Sequence, residues 1–242
     1  MFAWQAVDML TKAAPFKDSW VKEPHGAYFV NPRATVRRVL YCVTATEGVA
    51  AEFKQGGYDL LVSHHPYIVG EDSLGQQPIP QVVLHTALDC CVGGMNDQWR
   101  DAIGIKNAKH FDRNLGWYGE IEPTPFEELR KRCESFIGTK TIGMSYCDFN
   151  RPVESVVVCS GLGGLVEGRA FNTGADCYIL GEAVHDPLTS PFDAMIECGH
   201  TLSEYGPGLR FVCNVFGYSD VVVSGSIISP FYDHYQGEIY GG

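Results

Sequence analysis

Residues 36–66 read VRRVLYCVTATEGVAAEFKQGGYDLLVSHHP. The apolar run at 36–43 predicts a strand. Residues 46–55 predict a helix that ends at Gly56-Gly57, and residues 60–63 predict the next strand. A strand, a helix and a strand in this order form the unit from which parallel sheets are built. The stretch therefore predicts an α/β fold.

Two adjacent histidines, His64 and His65, follow the second predicted strand. Successive side chains of a strand point to opposite faces, so each imidazole could hold a different metal ion. The pair therefore predicts the start of a dinuclear metal site at the rim of a sheet.

The second half of the chain repeats this pattern. Its predicted elements are a helix at 126–136, a strand at Val153–Cys159, a short helix at 164–172 and a strand at 176–180. Three pairs of identical residues lie 117 positions apart: Cys42 and Cys159, Gly57 and Gly174, Asp59 and Asp176. The spacing indicates an internal duplication. Alternatively, it reflects only the Gly-x-Asp turn that commonly connects a helix to a strand.

A second match supports the duplication. The segments His85-Thr86-Ala87-Leu88-Asp89 and His200-Thr201-Leu202-Ser203-Glu204 share the form His-Thr-x-x-acid and begin 115 residues apart. Each half thus offers a histidine and a carboxylate in the same local arrangement. We therefore expect two similar α/β lobes, residues 1–122 and 123–242, that interlock.

These motifs contain the ligand types that divalent first-row metals prefer. A His-His pair alone is more often a surface or capping feature, and one His-x-x-x-Asp motif is a weaker signal still. Their joint occurrence favours a dinuclear site, in which a bridging carboxylate holds two cations about 3.5–4 Å apart. The candidates are His64, His65, His85, Asp89, His200 and Glu204. The other histidines, which fall in segments typical of loops and are interpreted as solvated, are His25, His110, His185 and His234.

Composition restricts the functional class and the compartment. The 18 basic and 29 acidic residues give a formal net charge of −11, which argues against binding to nucleic acid or to an anionic membrane. The nine cysteines show no regular spacing, which predicts reduced thiols and no disulfide framework. The N-terminus lacks a signal-peptide pattern and no apolar run approaches about 18 residues, so we expect a cytoplasmic protein.

Four motifs, in order and spacing, resemble one family of dinuclear-metal proteins. They are residues 59–66 (DLLVSHHP), 85–89 (HTALD), 174–182 (GADCYILGE) and 199–204 (GHTLSE). Over nearly its whole length the chain is similar to the NIF-three-like family, whose members are often labelled GTP cyclohydrolase 1 type 2.

The resemblance implies two divalent metal ions per chain, held in a cleft between two α/β lobes, and assembly as a toroidal homohexamer. His64 and Asp89 would bind one ion, and His65 and His200 the other. Glu204 would bridge both. The identity of the metal stays open, because imidazole and carboxylate accept zinc, iron, manganese, cobalt and nickel alike.

Hydrolysis is the reaction that such a site suits, because water bound to two cations loses a proton near neutral pH. The family label implies attack on C8 of the purine of GTP, or of a related nucleotide, with opening of the imidazole ring. His85 matches a family histidine beside the site and is a candidate proton shuttle or extra ligand. Two alternatives stay open. One is a phosphoesterase-like metal hydrolase that acts on another small molecule; the other is a non-catalytic metal-binding or interaction protein.

Substrate recognition is less defined than metal binding. The sequence has no Walker-type phosphate loop, and Gly161-Leu162-Gly163-Gly164 either presents N–H groups to an anion or forms a simple tight turn. The chain also departs from the family pattern outside the five implied ligands. Thr44 stands where an aspartate is common, and Leu180 replaces a threonine. Residues 23–29 replace an Asp-Asn-Val-Gly-Leu stretch, and His185-Asp186 stands where two histidines are usual.

Overall fold

The computed structural model of the protein describes residues 1–19, 25–66, 79–141, 145–184 and 189–226. The helices are α1 (Ala3–Ala13), α2 (Glu47–Gly56), α3 (Thr86–Cys90), α4 (Met95–Ile103), α5 (Phe126–Ile137), α6 (Glu167–Phe171) and α7 (His200–Phe216). The strands are β1 (Gly26–Tyr28), β2 (Arg38–Thr44), β3 (Leu60–His65), β4 (Gln81–Val83), β5 (Lys106–Phe111), β6 (Gly116–Thr124), β7 (Tyr146–Cys147), β8 (Val153–Cys159), β9 (Cys177–Leu180), β10 (Ala194–Glu197) and β11 (Val222–Gly225). Short 3-10 turns lie at Phe16–Asp18 and Gly163–Val166. The predicted α/β class is confirmed.

The chain divides into two compact units, each with its own sheet. Unit 1 contains the described residues from Met1 to Val92 and from Gly208 onward, and unit 2 contains those from Gly93 to Pro207. The interpretation of residues 1–122 and 123–242 as duplicated, interlocked lobes stays a prediction. No helix among the described residues has the length and apolar character that a membrane span requires.

The sheet of unit 1 has the strand order β1-β4-β3-β2-β11, with β1 antiparallel to β4 and the other neighbours parallel. Helix α2 begins where the Thr46 hydroxyl accepts a hydrogen bond from the N–H of Val49, and it ends at Gly57, whose φ is 63°. Its Phe53 packs with Leu40 and Leu61 of the sheet. Burial of these side chains holds the strand-helix-strand unit together.

The sheet of unit 2 has the order β5-β6-β8-β9-β10-β7, in which β8, β9 and β10 are parallel. Its core includes Trp99 of α4, Leu129 of α5 and Ile179 of β9, each at most 1% exposed. The indole N–H of Trp99 also donates to the carbonyl of Ser203 at 2.9 Å, which anchors the first turns of α7. Buried free thiols in the two units include Cys42, Cys133, Cys177 and Cys198.

The two sheets repeat the same register. In unit 1, Val39 pairs with Leu60, and in unit 2, Val156 pairs with Cys177. Both partners differ by 117 positions, and the next three pairs along each ladder keep this difference. An antiparallel edge strand flanks each repeat, β1 beside β4 and β7 beside β10.

An aspartate fixes the start of the same strand in both units. One oxygen of Asp59 accepts hydrogen bonds from two successive backbone N–H groups at the start of β2, and one oxygen of Asp176 does so at β8. The donors are Arg37 and Arg38 in unit 1 and Glu154 and Ser155 in unit 2, at 2.9–3.0 Å. An internal duplication predicts such a correspondence, and both the duplication and the shared helix-to-strand turn stay open as its origin.

Candidate metal centre

The histidine pair lies at the carboxyl end of a central parallel strand. His64 and His65 are the last residues of β3, and His64 is only 2% exposed. The prediction that their side chains point to opposite faces is wrong, because the ring centroids lie 4.6 Å apart. At the final residue of a strand, the pleat no longer fixes the direction of the side chain, and the two imidazoles converge.

A third imidazole joins them from the end of the neighbouring strand. His85 follows β4, and its N–H donates to the carbonyl of His64 at 3.0 Å. Its ring centroid lies 5.3 Å from that of His64 and 5.4 Å from that of His65. One ring nitrogen from each of the three histidines lies within 4.8 Å of the others, which is the spacing of a possible metal site.

Helix α3 adds a buried carboxylate to this group. Asp89 lies in its first turn and is 7% exposed, and its Oδ2 is 3.6 Å from Nε2 of His64. A buried carboxylate needs a positive partner, which a protonated imidazole or a metal ion would supply. Unit 1 therefore brings together four of the six predicted residues.

The hydroxyl of Thr44 holds the second ring of the pair. Thr44 Oγ1 lies 2.8 Å from Nδ1 of His65, and the two residues face each other in the β2–β3 ladder. A hydrogen bond at Nδ1 leaves Nε2 as the nitrogen for a metal. The sequence shows Thr44 only as a departure from the family pattern and does not predict its contact with His65.

Unit 2 brings together the remaining two predicted residues. His200 and Glu204 lie one turn apart at the start of α7, with His200 Nε2 and Glu204 Oε1 separated by 3.4 Å. Glu204 is 3% exposed and His200 is partly buried. The helix therefore presents an imidazole and a buried carboxylate on one face.

Glu182 is a site residue that sequence reasoning did not select. Its Oε2 lies 2.8 Å from Nδ1 of His200. Burial disfavours the charged form of His200, but the carboxylates of Glu204 and Glu182 outweigh that effect and raise its pKa to about 9. The signal for Glu182 was present in the sequence, since Gly181-Glu182 lies 117 positions after His64-His65.

Two glycines make room for the carboxylate of Glu204 and for the start of helix α7. A Cβ on Gly161, whose φ is 63°, would overlap Oε1 of Glu204. A Cβ on Gly181 would overlap the backbone of Gly161 and the hydroxyl of Ser203. Gly181 is the counterpart of His64, so the packing of unit 2 explains why only unit 1 carries a histidine pair.

The glycine loop at 161–164 forms a tight turn. The N–H of Gly161 donates to Ser203 Oγ at 2.9 Å, that of Gly163 to the carbonyl of Gly161 at 2.8 Å, and that of Gly164 to the carbonyl of Glu182 at 2.9 Å. Three of its four N–H groups are therefore used within the protein. The alternative of an anion-binding loop is not supported.

The two acid motifs are offset by one residue. The N–H of His85 donates to the carbonyl of His64, whereas the N–H of Gly199 donates to the carbonyl of Gly181. His85 is therefore the counterpart of Gly199 and not of His200. One residue in a helix is a rotation of about 100°, so the predicted equal arrangement of Asp89 and Glu204 is wrong.

The remaining histidines lie elsewhere. His110 is in strand β5 and not in a loop as expected; it is exposed and stacks on Trp117 with ring centroids 3.5 Å apart. His25 directly precedes β1 and its ring lies 4.6 Å from that of Phe16. His185 and His234 fall outside the described residues.

The donor sets of both units fit divalent transition metals. Imidazole nitrogen with carboxylate oxygen is the combination that zinc, iron, manganese, cobalt and nickel accept. The local geometry also favours metal binding. The rings of His65 and His200 are oriented through Nδ1, and the carboxylates of Asp89 and Glu204 are buried. His64, His65, His85 and Asp89 could hold a cation in unit 1, and His200 and Glu204 could hold one in unit 2.

Known proteins share this fold and sequence pattern. A curated relative from Lactococcus lactis, named GTP cyclohydrolase 1 type 2 homolog, is 26% identical and covers 87% of this chain and 91% of its own. A relative of the same name from Methanothermobacter thermautotrophicus is 31% identical over 74% of each chain. Two solved structures share the fold. Reduced HcgD from Methanocaldococcus jannaschii has a TM-score of 0.80, 20% identity and coverage of 94% of this chain and 98% of its own. TTHA1606 from Thermus thermophilus has a TM-score of 0.76, 21% identity and coverage of 93% and 97%.

A family model decides the classification. The model described as Duf34/NIF3 (NGG1p interacting factor 3) matches residues 1–211, which include every residue of the candidate metal centre. The chain belongs to the Duf34/NIF3 family.

Proposed function

We propose that the protein is a dinuclear metal-dependent hydrolase that opens the imidazole ring of GTP or a related nucleotide. The observation that carries the proposal is that one ring nitrogen from each of His64, His65 and His85 lies within 4.8 Å of the others, where strands β3 and β4 end. Relatives named GTP cyclohydrolase 1 type 2 homolog support this choice of reaction.

The proposed ligand assignment uses both units. His64 and Asp89 would hold one ion, and His65 and His200 would hold the other. The carboxylate of Glu204 would be shared by both. Two bound cations would lower the pKa of coordinated water enough to make a nucleophile available near neutral pH.

His85 is proposed to move the proton. Its imidazole stands beside His64 and His65 at the end of β4, and a histidine titrates near neutral pH, so it can take a proton and return it. Its backbone φ of 40° is unusual for a residue with a side chain. Backbone strain of this kind concentrates at functional sites, which favours a role beyond packing.

GTP turnover tests the reaction. Protein loaded in turn with zinc, iron, manganese, cobalt and nickel is incubated with GTP, and the purine absorbance and released formate are measured. Loss of the absorbance is expected for at least one metal. Ring opening by one water leaves C8 as a formamide, and formate is released when a second water hydrolyses that formamide. Failure with every metal would contradict the GTP reaction; phosphate release instead would indicate a phosphoesterase-like enzyme.

The metal assignment is tested by a matched pair of variants. Glu204→Gln keeps the size of the side chain but removes the bridging charge, whereas Glu154→Gln changes an exposed acid far along the sequence from every proposed ligand. Metal analysis is expected to give two ions per chain for wild type and Glu154→Gln, and fewer for Glu204→Gln. Two retained ions in Glu204→Gln would contradict the bridging role.

Assembly is the remaining part of the proposal. We propose a cytoplasmic homohexamer, which light scattering on the purified protein measures directly. A hexamer that binds two ions per chain but turns over no nucleotide would favour the alternative of a non-catalytic metal-binding protein.

A further inference from the structure

Two proposed ligands are oriented by different chemical groups. Nδ1 of His65 contacts the hydroxyl of Thr44, and Nδ1 of His200 contacts the carboxylate of Glu182. Both distances are 2.8 Å, whereas Thr44 is 1% exposed and the side chain of Glu182 is 40% exposed. One proposed ligand is therefore oriented by a neutral group and the other by a charged group, and the two can be compared within the same protein.

A carboxylate and a hydroxyl constrain an imidazole differently. An ionised carboxylate only accepts hydrogen bonds, so Glu182 keeps a proton on Nδ1 of His200, and Nε2 is the nitrogen that would bind a metal once the metal displaces its proton. A hydroxyl both donates and accepts, so Thr44 is compatible with either tautomer of His65. The carboxylate also makes its imidazole a stronger electron donor, and the hydroxyl does so less.

We propose that Thr44 is a positioning residue that makes His65 a weaker metal ligand than His200, so that Thr44 limits the affinity of the ion that these two histidines would share. The inference about metal affinity rests on the proposed function, but the inference about the tautomer of His65 concerns the metal-free protein. The metal-free protein is expected to hold His65 in a mixture of tautomers. The carboxylate of Glu182 keeps His200 from such a mixture.

The position of Thr44 is fixed by the fold. It is the last residue of β2, it is 1% exposed, and it faces His65 across the parallel ladder. A change of its side chain therefore alters the group at Nδ1 while the backbone pairing stays in place. Thr44→Val removes the hydroxyl at nearly constant volume, Thr44→Ser keeps the hydroxyl, and Thr44→Asp supplies an acceptor like that of Glu182.

The test measures tautomers and metal affinity separately. Nitrogen-15 chemical shifts of the histidine rings in metal-free protein report the tautomer of His65. Competition with a chelator gives the dissociation constants for zinc. Thr44→Ser is expected to match wild type, and Thr44→Val is expected to raise the dissociation constant of one zinc ion about tenfold. Thr44→Asp is expected to lower the dissociation constant of the same ion about tenfold and to shift His65 to the Nδ1–H form.

Glu182→Gln is the matched comparison in the other unit, and it is expected to weaken zinc binding more than Thr44→Val does. Equal tautomer populations and equal zinc affinities in Thr44→Val and Thr44→Ser would overturn the inference. If wild type binds no divalent ion, the proposed function fails instead. The His65 shifts of Thr44→Val against Thr44→Ser then still decide whether Thr44 positions the ring.

Discussion

The backbone of His85 carries strain that its counterpart avoids. His85 has φ 40° and ψ −137°, a combination that residues with a Cβ rarely adopt, and the equivalent residue in unit 2 is Gly199 with φ 87°. Such a conformation costs on the order of 1–3 kcal/mol, and the N–H hydrogen bond to His64 helps to hold it. The histidine is therefore kept at this position at the expense of stability.

Replacement of His85 separates backbone strain from the side chain. His85→Gly and His85→Ala both remove the imidazole, but only glycine relieves the positive φ. Urea unfolding of the metal-free protein is expected to show His85→Gly more stable than His85→Ala by about 1 kcal/mol. Equal stability of the two variants would contradict the strain.

Gly161 links the glycine loop to Glu204, a proposed metal ligand. A Cβ at this position would overlap the carboxylate of Glu204, whereas a Cβ on Gly138, whose φ is also positive at 79°, meets nothing within 4 Å. Alanine at either position is strained by about 1 kcal/mol, so the two variants share a stability loss. Gly161→Ala is expected to weaken zinc binding at least tenfold in a chelator competition, and Gly138→Ala is expected to bind like wild type. Similar zinc affinities for both variants would contradict the role of Gly161.

The sequence shows residue types and spacing but not which side chains meet. His64, Asp89, His200 and Glu204 could be selected because histidine and acid occur in compact motifs. The contact between Glu182 and His200 could not, because it joins the end of one strand to a helix 18 residues later. The offset between His85 and His200 is not predictable from the sequence for the same reason, since a motif match does not show where a helix begins.

Long elements were easier to predict than short ones. The predicted segments at 36–43, 46–55 and 126–136 agree with β2, α2 and α5 to within two residues. Strands β4 and β10 have three and four residues, too few for a periodic pattern to stand out. Helix α7 contains Pro207 between two glycines, residues that normally end a helix, so its length of 17 residues could not be foreseen.

The aspartate that fixes the start of β8 gives this element a dependence on pH. Burial opposes ionisation of Asp176, but its hydrogen bonds to Arg151 and to the backbone N–H groups of β8 outweigh burial and lower its pKa. A depressed pKa in the folded state stabilises the protein above the ordinary aspartate pKa of about 3.9, and this contribution is lost as the pH falls through the folded value.

The difference in unfolding free energy between wild type and Asp176→Asn is expected to show this contribution. At pH 7 the variant should be less stable than wild type by about 1–3 kcal/mol, because hydrogen bonds to a charged group are lost. The difference should shrink as the pH falls below about 4. Urea unfolding between neutral and acidic pH measures it. A difference that stays constant over the whole range would contradict the role of the charge.

At the scale of the whole molecule, the repeated sheet register and the residues that differ between the repeats explain which donors each unit carries. Both sheets place site residues at the carboxyl ends of parallel strands, where open α/β sheets commonly bind ligands. Unit 1 supplies His64 and His65 at the end of β3, and unit 2 supplies Gly181 and Glu182 at the corresponding positions. The first unit therefore carries more nitrogen donors, and the second carries a carboxylate that orients a histidine.

Metal binding should stabilise the folded chain as a whole, because the ligands come from segments that are distant in sequence and are assembled only on folding. A ligand at 100 times its dissociation constant adds about 2.7 kcal/mol to stability. In a chain of this size each kcal/mol raises the Tm by about 2–4 °C. Saturating zinc is therefore expected to raise the Tm of wild type by at least about 5 °C, and of Glu154→Gln by the same amount. Glu204→Gln should show a clearly smaller rise in calorimetry, since it lacks the charge proposed to bridge the two ions. An equal rise in all three proteins would place the zinc at sites other than the proposed centre.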